Sequence, residues 1–172
     1  IASKFCRKVA KKKMNVLLIG KNVEKMKQIA SNIETKYGVK TRVVVHDFGL
    51  DCPKVFHQNI VPMLQKLMAQ YKATGRGGIG LLVNCVNFRN EIPTLVHEME
   101  TNAVKQMMKT NIGGTINLVE IVLPFLLKQG QSYKSAVITV SSHSSHHPAP
   151  MFTLYSSTNA FRTEFSRSLY RK

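Results

Sequence analysis

The 172-residue chain is long enough for one domain with a sizeable core, and with 44% hydrophobic and 20% charged residues it reads as soluble and globular. Three scattered cysteines, Cys6, Cys52 and Cys85, argue against a disulfide framework and for a reducing compartment, and no apolar run approaches the ~20 residues of a membrane span. The formal charge of +16, with nine of the first 28 residues basic, points to attraction for an anionic membrane surface, nucleic acid or an acyl-CoA, or else to a solvated helix face; with no RNA- or DNA-binding motif beside it, nucleic acid is not expected as a partner.

Helical and strand-like segments alternate along the chain. Residues 2–13 read as a basic helix with Phe5 and Val9 on one face, and residues 15–19 as a short apolar strand. Residues 23–37 carry the helical stripe Val23, Met26, Ala30, Ile33 and Tyr37, closed by Gly38. A β-branched strand follows at 41–46, then a helix at 53–71 that tolerates Pro62 as a kink or break. A glycine-rich loop spans 73–80, a strand 81–84, and one long helix or two 98–128, in which Ile112 to Leu127 reads as buried. A strand at 135–142, a Ser/His/Pro loop at 143–150 and a helix from Leu154 complete the pattern. Apolar strands separated by amphipathic helices predict a parallel sheet covered on both faces, with no internal domain boundary. Met63, Met68, Met107 and Met108 are expected as core filler.

The chemistry gathers around Tyr155. Ser142 ends the apolar run that begins at Ala136, Tyr155 opens the next helix, and Asn159 lies one turn further on. A serine and a tyrosine brought together at a strand end and a helix start can bind and protonate a carbonyl. An unperturbed tyrosine has a pKa of about 10, so the chemistry wants a cation one turn beyond the tyrosine to stabilise the phenolate. Position 159 holds an amide. His143, His146 and His147 cluster beside this point, but in a short Ser/Pro loop with no carboxylate or cysteine nearby, so no metal site is expected and a substrate-facing loop is the better reading.

Ser142, Tyr155 and position 159 resemble the Ser…Tyr-x-x-x-Lys site of the short-chain dehydrogenase/reductase family. The resemblance extends through Asn84-Cys85-Val86-Asn87 after the third strand, Asn111 within its helix, and Asp47-Phe48 after the second strand. The stretches Val-Leu-Leu-Ile-Gly-Lys-Asn, Val-Leu-Pro-Phe and Pro-Ala-Pro look most like the 17β-hydroxysteroid dehydrogenase and very-long-chain 3-oxoacyl-CoA reductase branch, including its hydroxysteroid dehydrogenase-like members. The fold implied is α/β, a Rossmann-like doubly wound parallel sheet, here as a single incomplete domain over residues 1–172.

The resemblance also assigns roles. Tyr155, Ser142, Asn111 and Asn159 are the catalytic set: Tyr155 as acid or base, Ser142 orienting the carbonyl, Asn111 bending its helix and placing a water, Asn159 where a lysine is usual. Each has a plainer reading: a helix-start tyrosine without chemistry, a strand-end serine bonding local backbone with Ser141 as competitor, a buried asparagine satisfied by helix carbonyls. Lys21, Asn22, Asp47, Asn84, Tyr155 and Asn159 are the cofactor-binding set. Lys21, with no acid in its place, selects NADP (NADPH) over NAD by meeting the 2′-phosphate; Asn22 also suits a helix cap, Asp47 an adenine contact or a turn cap, and Asn84 the adenosine side of the cleft. Cys85 and Asn87 replace small residues, Asn87 crowding the cofactor. Ala2 stands where the family fingerprint has its last glycine.

By the same resemblance, a chain starting at Ile1 and ending at Lys172 lacks the family's first strand, most of its phosphate loop and its last strands. The missing strand would lie between those at 15–19 and 81–84, and each unpaired buried polar group costs roughly 1–3 kcal/mol, so the 172 residues alone are expected to be unstable and inactive. The implied activity is NADP-dependent oxidoreduction of a keto or hydroxy group on a steroid or 3-oxoacyl-CoA, a lipid-like small molecule. The alternative is an inactive member keeping the fold for ligand or partner binding, and a third reading is a basic peripheral-membrane or scaffold protein. Homodimerisation through the helices at 98–128 and 154–172 and a place at the endoplasmic reticulum membrane or its cytoplasmic face belong to the same implication.

Overall fold

A computed structural model describes residues 1–49, 52–74, 78–130, 134–147 and 149–170. The chain divides into two compact units, Ile1–Asp47 and Phe48–Lys172. Among the described residues its four strands form two separate parallel pairs, one in each unit.

In the first unit, α1 (Ala2–Lys11) leads to β1 (Val16–Gly20), α2 (Val23–Tyr37) and β2 (Thr41–Val45). β1 and β2 run parallel, with Val16 opposite Thr41 and Gly20 opposite Val45. Side chains fix the ends of these elements. Asn22 Oδ1 accepts from Lys25 N at 2.9 Å as the N-cap of α2, and Gly38 closes that helix at φ 66°, a left-handed position suited to glycine. Glu34 takes two hydrogen bonds from Thr41, from its N at 2.8 Å and its Oγ1 at 2.7 Å, which hold its carboxyl below the usual range and tie the end of α2 to β2. Cys6, Ala10, Leu18, Met26, Ala30, Ile33 and Val39 form the core. The α2 stripe is as its spacing predicts. On α1 the buried pair is Cys6 and Ala10, with Phe5 and Val9 half-buried at the margins; the two small side chains let the helix approach closely, which a pattern keyed to large residues does not anticipate.

In the second unit, α3 (Pro53–Thr74) buries Phe56, Ile60, Leu64 and Met68, one residue per turn at i+4 spacing. Pro62 lies inside this helix on its exposed side, where water can satisfy the carbonyl left without an N–H partner. Of the glycine-rich loop expected at 73–80, residues 73 and 74 end α3 and 75–77 lie outside the described residues. β3 (Leu81–Asn84) pairs in parallel with β4 (Ala136–Thr139), Leu81 opposite Ala136 and Asn84 opposite Thr139.

Between these strands run a 3-10 turn (Val96–Glu98), α4 (Thr101–Met108), a π-helical turn (Lys109–Gly113) and α5 (Gly114–Gly130), and after β4 come a second 3-10 turn (His143–Ser145) and α6 (Thr153–Tyr170). Of the one long helix or two expected here, the chain forms a continuous helical run in which α4 and α5 meet at a π turn, a feature that alters helix register and recurs at functional sites. Met107, Leu118, Val119, Val122 and Leu126 are buried along it, whereas Met108 is exposed and is not core filler. Residues Thr101–Lys128 are long and apolar enough to cross a membrane by length and composition, with 44% of the apolar window buried in the protein. The expectation that no apolar run approaches such a length counted unbroken residues, whereas this helix meets the length and average hydropathy with polar residues such as Asn117 and Glu120 inside it.

Three substitutions probe this framework. A Cβ on Gly114 would stand 3.0 Å from Phe48 Cβ and 3.1 Å from Val86 Cγ1, whereas one on Gly113 meets nothing within 4 Å. Gly114→Ala is expected to destabilise by about 1–3 kcal/mol, less the ~1 kcal/mol of helix propensity it gains, and Gly113→Ala to be neutral or stabilising; denaturant melts of the pair check this. Asn22→Ala removes the α2 cap and is expected to cost about 1 kcal/mol in the same assay.

Candidate active site

In the second unit, α6 sets Tyr155, Thr158, Asn159 and Arg162 at i, i+3, i+4 and i+7, on one face of the helix. Tyr155 is half-buried, and its phenol oxygen accepts from Asn87 Nδ2 at 3.4 Å. Asn87 reaches it from the loop after β3, and the other end of the same amide, Oδ1, accepts from Arg162 Nη1 at 3.3 Å. A guanidinium has only donors, so the carbonyl end of Asn87 must face it and the NH2 end must face the phenol. Arg162 Nη1 also reaches Asn159 Oδ1 at 3.4 Å.

Arg162 is 1% exposed, and its Nε and Nη2 have no hydrogen-bond partner. Burial pulls its guanidinium down from the ordinary value, while Tyr155 and Cys85 act in the opposite sense. Burial likewise pushes the Cys85 thiol up, with Arg162 opposing it.

Asn111 sits at the centre of the π turn and is fully buried. Its Oδ1 accepts from Phe88 N at 2.6 Å, and its Nδ2 donates to Phe88 O and to Thr158 Oγ1, both at 2.9 Å. The side chain thus clamps the loop after β3 to α6. The plainer sequence reading, an asparagine satisfied by carbonyls of its own helix, is corrected by these partners.

Asn159 is 1% exposed, with Nδ2 donating to the Tyr155 carbonyl at 2.9 Å and Oδ1 taken by Arg162. Ser142 caps the short turn that follows β4, and its Oγ accepts from Ser144 N at 3.3 Å and Ser144 Oγ at 3.0 Å. Its neighbour Ser141 is the one bonded to α6, donating to the Asn159 carbonyl at 3.0 Å and accepting from Thr163 Oγ1 at 2.9 Å. Asn84 is buried at the end of β3; its Oδ1 accepts from Val86 N at 3.1 Å, and its Nδ2 and the Oγ1 of its strand partner Thr139 have no hydrogen-bond partner. The rings of His143 and His147 stack with centroids 4.5 Å apart.

In the first unit, Lys21 Nζ lies 3.8 Å from Asp47 Oδ2, with the lysine side chain 64% exposed. Asn22 caps α2, as one of its two sequence readings has it.

Sequence reasoning missed Arg162. Its signal was the spacing Asn159-x-x-Arg162, one helical turn past the expected cation position; a charge there reads as a solvated face until its burial is known. It also read Asn87 only as crowding the cofactor; in the structure the same side chain links Tyr155 and Arg162.

The family model for short chain dehydrogenases matches residues 1–172. The chain is 30% identical over 176 residues to the very-long-chain 3-oxoacyl-CoA reductase of Rattus norvegicus, covering 100% of this chain and 51% of that protein. It is 29% identical to hydroxysteroid dehydrogenase-like protein 1 of Gallus gallus, covering 99% and 47%. The chain thus spans about half the length of the curated relatives it matches. Among solved structures, a 7beta-hydroxysteroid dehydrogenase gives a TM-score of 0.71 at 21% identity, covering 96% of this chain and 58% of that one. A short-chain dehydrogenase from Sphingobium yanoikuyae in complex with NADPH gives 0.71 at 17%, covering 98% and 59%. These likenesses show the Rossmann-like α/β fold, and the match along the whole chain shows that it belongs to the short-chain dehydrogenase family.

Proposed function

We propose that this protein is an NADP-dependent oxidoreductase acting on a keto or hydroxy group of a lipid-like substrate, a 3-oxoacyl-CoA or a steroid. The observation that carries the reading is the Tyr155 phenol, half-buried on the first turns of α6 and held by the Asn87 amide at 3.4 Å. On reduction its oxygen gives a proton to the substrate oxygen, and on oxidation it takes one. Ser142 orients the carbonyl by exchanging its bond to Ser144 for one to substrate, and Asn111 keeps the Tyr155 helix against the Asn87 loop. A general acid of this kind contributes roughly 10²–10⁴-fold.

The residues fit a phosphorylated dinucleotide. In the first unit, Lys21 carries an exposed ammonium of the kind a 2′-phosphate attracts, with Asp47 moderating its charge; in the second, the buried Nδ2 of Asn84 lacks a partner among the described residues, which a polar ligand would supply. When bound, the nicotinamide supplies or accepts the hydride. The substrate class rests on the relatives' names, and a place at the endoplasmic reticulum membrane or its cytoplasmic face follows from the family resemblance; the formal charge of +16 favours an anionic surface.

A second reading has an observation of its own. Asn159 stands where the family pattern has a lysine, and its amide is spent on Arg162 and the Tyr155 carbonyl, as suits a family member kept for binding alone. NADPH fluorescence and single-turnover oxidation with a broad ketone separate the two. The full-length protein is expected to bind NADPH and turn over slowly, and Tyr155→Phe to keep binding while losing about 100-fold or more in rate. Binding with no turnover favours the second reading, and loss of NADPH binding sinks the first and leaves of the second only partner binding. Lys21→Ala is expected to weaken NADPH about tenfold or more and NADH little, since a phosphate contact through a charged donor is worth roughly 1.5–3 kcal/mol.

A further inference from the structure

We infer that Arg162 is the cation of this site, a positioning residue that stabilises the Tyr155 phenolate through the Asn87 amide. The inference rests on the oxidoreductase reading and deepens it. Three observations support it. Arg162 Nη1 donates to Asn87 Oδ1 at 3.3 Å, and Asn87 Nδ2 donates to Tyr155 Oη at 3.4 Å, so one amide dipole lies head to tail between guanidinium and phenol. A cation at the carbonyl end of an amide draws electrons from its NH2 end and makes it a stronger donor. Arg162 is 1% exposed, and among the described residues its Nε and Nη2 are unpartnered and no carboxylate is bonded to it, so little competes for its field in a dry setting. Third, Asn159 turns its acceptor toward Arg162 at 3.4 Å, so the residue standing in the cation's usual place holds the cation one turn on.

Structural convenience does not account for this arrangement. A buried guanidinium with two unbonded nitrogens is costly, and an apolar residue of similar size is often as stable or more so. The other ionisable group facing it, Cys85, is kept a neutral thiol by burial. Arg162 therefore directs its charge at Tyr155 without a permanent counter-ion.

The test needs no cofactor. Tetranitromethane modifies the phenolate form of tyrosine, so the nitration rate of Tyr155, read by peptide mass with Tyr37 of the first unit as internal reference, reports phenolate directly. In the full-length protein Arg162→Gln is expected to slow nitration of Tyr155 about tenfold or more, with Tyr37 unchanged, and Arg162→Lys to restore most of it. A folded Arg162→Gln protein with unchanged Tyr155 nitration overturns the inference. Should Arg162→Gln fail to fold, Asn87→Leu carries the test: the same slowing supports the relay and an unchanged rate refutes it. A second arm moves the charge. Asn159→Lys alone sets two cations side by side and is expected not to speed nitration beyond the unaltered protein, whereas Asn159→Lys with Arg162→Leu is expected to restore the rate that Arg162→Leu alone loses; a single Asn159→Lys variant that nitrates faster than the unaltered protein, or a double variant no faster than Arg162→Leu alone, overturns the inference. Unchanged nitration with intact NADPH binding defeats this inference alone, while lost NADPH binding defeats the oxidoreductase reading and leaves the electrostatic link standing on its nitration result.

Discussion

The Asn111 carboxamide holds the site in register. It is fully buried at a π turn, bonded both ways to the Phe88 backbone and once to Thr158 Oγ1. Phe88 is next to Asn87, and Thr158 is next to Asn159 and one turn from Tyr155. The clamp therefore sets the separation of the two chain segments across which the Tyr155–Asn87 and Arg162–Asn87 bonds form. Those bonds are long, at 3.4 and 3.3 Å, and depend on a separation fixed elsewhere. The π turn is part of the device, since Thr115 Oγ1 donates to the Asn111 carbonyl at 2.7 Å within the altered helical register. Gly114, pressed against Phe48 and Val86 in the next position, lets α5 come close enough for the clamp to reach.

Around this clamp the unit carries an unusual load of buried polarity. Asn84, Thr110, Asn111, Thr115, Ser156, Thr158, Asn159 and Arg162 are all buried. Most are paired, but Asn84 Nδ2, Thr139 Oγ1, Ser156 Oγ and two nitrogens of Arg162 are not. Buried polar groups without partners cost roughly 1–3 kcal/mol each, a large draw on a stability of ~5–15 kcal/mol. Their concentration at the ends of β3 and β4 and along one face of α6 marks where stability is given up. The purely apolar packing of α3, with Phe56, Ile60, Leu64 and Met68 in line, supplies the opposing term.

How far the sequence was legible depended on the range of the interaction behind each feature. Asn22, Gly38 and the stripe Met26, Ala30, Ile33 act within a turn or two, and α2 falls where they place it. The strand at 81–84 was read from its apolar run and found at Leu81–Asn84. The spacing of Tyr155, position 159 and Asn111 is what the candidate site is read from, and the structure sets Tyr155 and Asn159 on one face of α6 with Asn111 bonded to Thr158 between them. What those side chains touch was not legible, since it is set between residues far apart: Asn87 to Arg162, Phe88 to Asn111, Ser141 to Asn159. Ser142 and Ser141 could be told apart only by orientation, and in this structure Ser142 serves its own turn while Ser141 meets the helix. Arg162 was illegible for a similar reason, as a charge in an amphipathic helix reads as exposed unless the facing surface is known.

An amide at position 159, where a cation would stabilise the Tyr155 phenolate, reads as a missing charge when positions are taken one at a time. In three dimensions the charge at a site belongs to a volume, and more than one position on a helix can supply it. Asn159 is shorter than lysine and offers an acceptor where lysine offers only donors. Both properties suit an arginine three residues on, whose longer arm can reach back over the same turn. A lysine at 159 and an arginine at 162 would repel each other in a low dielectric, so either residue argues against the other's usual alternative. The pair Asn159 and Arg162 is thus compatible as placed: the Asn159 amide is bonded to the guanidinium, and Asn87 links that guanidinium to Tyr155.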